Sequence, residues 1–144
     1  MAEQNFANHT KLVPVFHFFV VPVMLLNFGQ SVYRMIHFGF SFDRLVGVLT
    51  ALALVLLMFL ARLFALKVQD RVIRLEERLR MERLLPGDLK SRIGEFTCAQ
   101  LVSLRFASDA ELPELARKVL TDNIQERKAI KQMVQNWRAD YFRA

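Results

Sequence analysis

The chain has 144 residues, is 53% hydrophobic and carries a formal net charge of +6. Its one cysteine, Cys98, excludes an intrachain disulfide and any metal site built from cysteine pairs. The charge is unevenly spread: between Leu12 and Leu66 the only charged residues are Arg34, Asp43, Arg44 and Arg62, whereas from Lys67 onward nearly every turn carries several. This is the pattern of a bilayer segment joined to a water-soluble one.

Residues 1–11 read as a polar tail. They hold Glu3 and a single basic residue, Lys11, and the apolar run that follows is too long for a signal-peptide core, so the first span is expected to stay in the mature protein. That span is predicted over 12–33, 22 residues without a charge. At about 1.5 Å per residue it reaches roughly 33 Å, enough for a hydrocarbon core of about 30 Å. Pro14 falls in its first turn, and Pro22, further in, is expected to kink it or free a carbonyl. Residues 34–44, rich in Phe, form the connection, with Gly39 as the turn. The second span is predicted over 45–66, with Arg62 near enough to its end to snorkel.

No stop signal separates this span from the charged residues 67–85, so one helix is predicted from Leu45 to Leu85, projecting as a stalk until Pro86 and Gly87 end it. Pairs at i,i+4 (Asp70/Arg74, Glu76/Arg80 and Arg78/Glu82) support it. Residues 86–144 then read as a module of three helices: Phe96–Ala107, a second from Leu112 with Pro113 in its first turn, and Gln125–Trp137. Leu112, Leu115, Ala116, Val119 and Leu120 share one stripe. Ile130, Met133, Val134 and Trp137 share another, with Tyr141 and Phe142 beyond. No strand is predicted. The fold class is all-α: a two-helix transmembrane hairpin, a stalk and a small three-helix cytoplasmic module.

Orientation follows from where the positive charge lies. Lys67, Arg71, Arg74, Arg78, Arg80 and Arg83 outnumber Asp70, Glu76, Glu77 and Glu82 just past the second span. The positive-inside rule therefore places both termini in the cytoplasm, with membrane lipid beside the basic segment. Nucleic acid is not expected as a partner, because residues 86–144 carry ten basic and eight acidic residues.

Candidate sites are few. Asn27, Gln30, Ser31 and Arg34 recur at i, i+3, i+4 and i+7 on one face of the first span, and lipid offers such groups no partner. The second span presents small residues, Gly47, Thr50 and Ala51, which let backbones approach. In an antiparallel hairpin with Tyr33 level with Arg44, Asn27 is expected opposite Thr50 and Gln30 opposite Gly47, as helix-pairing contacts. A polar path through an oligomer is the alternative. On the stalk, Val68, Val72, Leu75 and Leu79 have 4-3-4 spacing, which suits either a short coiled coil or packing against the C-terminal helices. His17 and His37 lie about 30 Å apart on one helix and share no metal within a subunit. A haem held by His17 across a dimer is the sharper reading, a hydrogen-bonded imidazole near the headgroups the plainer one. His9 reads as a solvated tail residue and Cys98 as a small buried apolar one. No cofactor is expected, and Ser, His and acidic residues are too dispersed for a hydrolase triad.

The segments QNFANHTKLVPVFHFF, QLVSLRFASDAELPELARKVL and IKQMVQNWRADYFR resemble a family of small bacterial two-span membrane proteins of unknown function, some loosely labelled transporter permeases. The resemblance covers nearly the whole chain and implies a bacterial inner membrane; it carries over no catalytic residue. The expected function is non-enzymatic: an oligomeric scaffold or accessory subunit, as a homo-oligomer or with a membrane-protein partner, bound through the helical module. Alternatives are an oligomeric transporter component and a membrane-tethered helical regulator.

Overall fold

Proline decides how the first helix begins. In the computed structural model, which describes residues 5–6 and 12–140, Val15–Val20 form a π-helical stretch that leads into α1, Val21–Phe38. Pro22 sits in the first turn of α1, and the wider π turn ahead of it accommodates a ring that cannot donate to the preceding carbonyls. The Val21 amide donates to Phe16 five residues back. Where the sequence predicts a kink or a freed carbonyl, the chain makes a change of helical pitch. Gly39, at φ 75, stops α1, a conformation in which a side chain would be strained. Arg44 Nη1 donates to the carbonyls of Phe38 and Gly39, covering two groups that the helix end leaves open.

Helix α2 runs unbroken from Phe42 to Leu84. One unbroken helix is the expectation for Leu45 to Leu85, and the helix begins three residues earlier. Val15–Phe38 and Phe42–Leu84 are both long and apolar enough to cross a membrane. The described chain divides into two compact units, residues 12–66 in one and residues 5–6 with 67–140 in the other.

Within the first unit the covered positions trace a 4-3 stripe on each helix: His17, Val21, Met24, Phe28, Ser31 and Met35 on one, and Arg44, Val48, Ala51, Val55, Met58 and Arg62 on the other. Such spacing is the seam of two helices crossing at a shallow angle. The Arg62 guanidinium lies 5.9 Å from the centre of the Phe16 ring, which fixes the helices as antiparallel.

The second unit is the head, built on residues 67–84 of α2. Pro86 and Gly87 end the long helix and open α3, Gly87–Lys90, followed by a 3-10 turn, Ile93–Glu95. Helices α4 (Cys98–Leu104), α5 (Leu112–Thr121) and α6 (Arg127–Met133) complete it. Thr97 and Gln100 form a reciprocal capping box at the start of α4, which two orphan amides require. Met81, Leu101, Leu104, Leu112, Val119 and Ile130 are wholly buried and centre the core. At about 1.5–3 kcal/mol per large apolar side chain, such residues are what hold so small a unit together.

Two of the predicted helices are shorter than expected. The first does not reach from Phe96 to Ala107, because capping at Thr97 sets its start and Arg105 its end. The last ends at Met133, and from Val134 the chain is extended. Trp137 therefore leaves the Ile130–Met133 stripe and joins an isolated antiparallel bridge to Ala107, with no strand formed among the described residues. Tyr141, Phe142 and His9 lie outside the described residues.

A candidate interaction site on the head

The end of α2 brings two charged residues under cover. Glu77 and Arg80, one turn apart, are 5% and 4% exposed, a depth at which unpaired charge is costly. Arg80 is saturated instead. Its Nη1 donates to Glu77 Oε2 at 3.0 Å, its Nη2 to the Ala107 carbonyl at 2.7 Å, and both Nε and Nη2 to Asp109 Oδ1 at 2.8 and 2.6 Å. One guanidinium thus ties α2 to the loop between α4 and α5, a use that the fork geometry of arginine suits. Arg138 approaches the other oxygen of Glu77 at 3.6 Å. The pairs Asp70/Arg74 and Glu76/Arg80 expected from sequence are not formed: Asp70 pairs with Arg127 at 3.2 Å, and Arg80 pairs with Glu77 of its own helix and with Asp109.

The electrostatics of the two acids run in opposite directions. Burial pushes the Glu77 carboxyl above its ordinary value, against the pull and the hydrogen bond of Arg80. The hydrogen bond from Arg80 holds Asp109, which stays largely in water, below its ordinary value.

Above this pair, the loop after α4 and the extended C-terminal stretch meet. Phe106 is fully buried and stacks on Trp137, with centroids 4.5 Å apart and planes inclined by 20°. The Arg105 guanidinium lies 4.3 Å and the Lys131 ammonium 5.4 Å from the Phe106 ring centre, both at cation–π distance. Ser108 donates to the Asn136 carbonyl and Arg138 to the Phe106 carbonyl. The Glu111 carboxylate accepts from the amides of Gln135 and Asn136, and Arg105 pairs with Asp140 at 3.0 Å. LRFASDAELPEL and NWRAD, the most distinctive stretches of the sequence, are therefore two sides of one contact. Nothing in their spacing signals this.

An open cleft of about 510 Å³ lies beside the cluster, lined by Glu76, Glu77, Leu79, Arg80, Arg83, Arg105, Arg138, Ala139 and Asp140. On its outer rim Arg83 and Arg138 are exposed beside the exposed Glu76, while Arg80 and Arg105 are buried.

The chain belongs to the family of unknown function DUF6526. The family model matches residues 1–144. No curated protein and no solved structure matches this family member.

The residues singled out from its sequence are placed as follows. Asn27, Gln30, Arg34 and Thr50 are exposed, Ser31 and Gly47 are half-buried, and Ala51 is buried. Among the described residues no hydrogen bond joins Asn27 to Thr50 or Gln30 to Gly47. At about 100° per residue, Asn27 stands roughly 80° and Gln30 roughly 140° away from the Met24, Phe28 and Met35 stripe, which takes the seam with bulkier apolar groups. The Ser31 hydroxyl donates to the Asn27 carbonyl of its own helix at 2.8 Å. A Cβ on Gly47 would meet nothing within 4 Å, so the expected close backbone approach there is absent.

Val68, Val72, Leu75 and Leu79 are all exposed; Ile73, Glu77, Arg80 and Met81 form the face of α2 that the head covers. Packing of the first stripe against the C-terminal helices, one of its two expected roles, is thereby corrected. His17 Nδ1 lies 2.9 Å from the Val13 carbonyl and His37 lies against Tyr33 at 4.4 Å. Cys98 is half-buried, its Sγ 3.7 Å from the Asp70 carbonyl. Among the described residues no group of three metal-ligating side chains comes together.

Proposed function

We propose that this chain is a non-enzymatic integral membrane protein, an oligomeric scaffold or accessory subunit whose helical head docks a partner. The observation that carries the reading is α2: one unbroken helix that is apolar over its first half and supplies Met81 and Arg80 to the head at its other end. In the reading, α1 and the first half of α2 lodge in a bacterial inner membrane, and both termini lie in the cytoplasm. Lys67 and Arg74 then face anionic headgroups. The buried arginines are occupied by the head itself, which suits a rigid recognition module. The cleft rimmed by Arg83 and Arg138 is its docking surface, matched to a partner that presents carboxylates.

Purification from membranes in mild detergent tests this. The expected result is an oligomer that carries one partner at a fixed ratio, and the partner is lost from Arg83→Glu/Arg138→Glu. A monomer that brings down nothing reproducible overturns the reading.

The exposure of Asn27 and Gln30 favours a second reading, in which several copies turn these amides toward a shared polar path, since lipid satisfies neither. Flux into liposomes that falls in Asn27→Leu and Gln30→Leu variants supports it; flux that is absent or unchanged ends it.

A further inference from the structure

We infer that the exposed apolar stripe on α2 is a seam between two copies of this chain, which pair over residues 68–79 as a parallel two-stranded coiled coil. The inference rests on the oligomeric reading above and names the surface and the direction of pairing. Val68, Val72, Leu75 and Leu79 are 60%, 49%, 61% and 54% exposed, a continuous apolar row on a charged stretch of helix. The row stands roughly 110–170° round the helix from Ile73, Glu77 and Arg80, so a second helix reaches it without displacing the head, and of the row only Leu79 also lines the cleft. The same 4-3 spacing runs back through Ala65 and Ala61, both exposed, and stops at Glu82.

In heptad terms Val68 and Leu75 stand at d, and Val72 and Leu79 at a. The central pair, β-branched Val72 at a with Leu75 at d, is the combination that favours two strands, while Val68 at d and Leu79 at a at the two ends carry the reverse order. The flanking charges select the direction. Arg71 falls at g and Glu76 at e, five residues on, the separation at which g of one helix meets e of a parallel partner. Both are exposed and neither is in an ion pair among the described residues. A parallel pair therefore gains Arg71–Glu76 twice, by symmetry. An antiparallel pair brings g to g and sets Arg71 against Arg78. The next parallel g–e pair, Arg78 with Arg83, is like-charged, so the seam ends near Leu79. A row this short is marginal in water. Two chains inserted in one bilayer already share an axis and a plane, which lowers the cost of pairing and fixes it as parallel.

The test places single cysteines at positions 68, 72, 75 and 79 in a Cys98→Ser full-length chain, oxidised in native membranes. All four are expected to link to themselves, and Arg74→Cys, on the outer side, to link weakly. Arg71→Glu is expected to lower the yield at position 72 roughly threefold, and Arg71→Glu combined with Glu76→Arg to restore it. Linking at one position alone means an antiparallel pair and overturns the inference, as does a charge reversal without effect. If none of the four links while the purified chain remains oligomeric, the seam is wrong and the scaffold reading stands. If none links and the chain is monomeric, both fall.

Discussion

Arg80 sits where two opposite demands meet, because its neighbour Glu77 is buried and its partner Asp109 is not. Removing one side of a buried pair leaves the other charge uncompensated, at about 3–5 kcal/mol. Arg80→Ala is therefore expected to destabilise the head by that order near neutral pH, and by less in acid, where Glu77 takes up a proton. The pH response separates the two acids. The folded pKa of Glu77 is raised, so the folded chain holds this proton after the unfolded chain has released it. Stability falls as pH rises from the ordinary carboxylate value to the raised one, then levels off. Glu77→Gln is expected to remove that fall. The folded pKa of Asp109 is lowered, so its contribution is present above the ordinary value and fades as pH drops through the lowered one. Asp109→Asn is expected to cost under about 1 kcal/mol, since this side chain lies in water. Thermal unfolding of the detergent-solubilised chain across pH checks all three. None of this is legible from sequence, where i,i+4 spacing points Arg80 to Glu76. The true partners, Glu77 and Asp109, are chosen by burial and by a loop 29 residues away.

At the scale of elements, the readable boundaries are those written in residues with few backbone options. Gly39 ends α1, Pro86 and Gly87 end α2, and Pro113 stands in the first turn of α5. The capping box of Thr97 and Gln100 is equally readable and sets the start of the first head helix. The end of α6 is not, because a partner distant in sequence decides it. Helical periodicity carries Trp137 on from Ile130, but stacking on Phe106 draws the chain out after Met133. Trp137→Ala is expected to cost about 2–3 kcal/mol, from lost burial plus the ring stack, and Trp137→Phe clearly less. In the hairpin, apolar spacing marks the helices, while the polar spacing does not mark the covered stripe: Asn27 and Gln30 are exposed and Gly47 is not closely approached. Gly47→Ala is accordingly expected to be neutral, or to stabilise α2 by up to about 1 kcal/mol, in the same unfolding measurement.

Over the whole molecule, two helices fit to cross a membrane and a head rich in ion pairs pose one question before any other: which side the head occupies. The loop between the spans offers Arg34 and Arg44, with Asp43 between them, whereas residues 67–85 offer six lysines and arginines. Moving the second set across a bilayer is opposed by the membrane potential and the bias of insertion, and moving the loop costs far less. The charges of the head do not alter this balance, because the basic residues that set orientation are those nearest the span. A reporter active only in the periplasm and fused after Ala144 is therefore expected to be silent, and the same reporter inserted at Gly39 to be active. Substituting Lys67, Arg71 and Arg74 with glutamine is expected to weaken the preference, giving a mixed signal from the C-terminal fusion, while Arg34→Gln leaves it unchanged. An active C-terminal reporter in the unsubstituted chain would reverse the orientation. It would also remove the cytoplasm as the source of a partner for the cleft at Arg83 and Arg138, while leaving the α2 pairing open to the cysteine test.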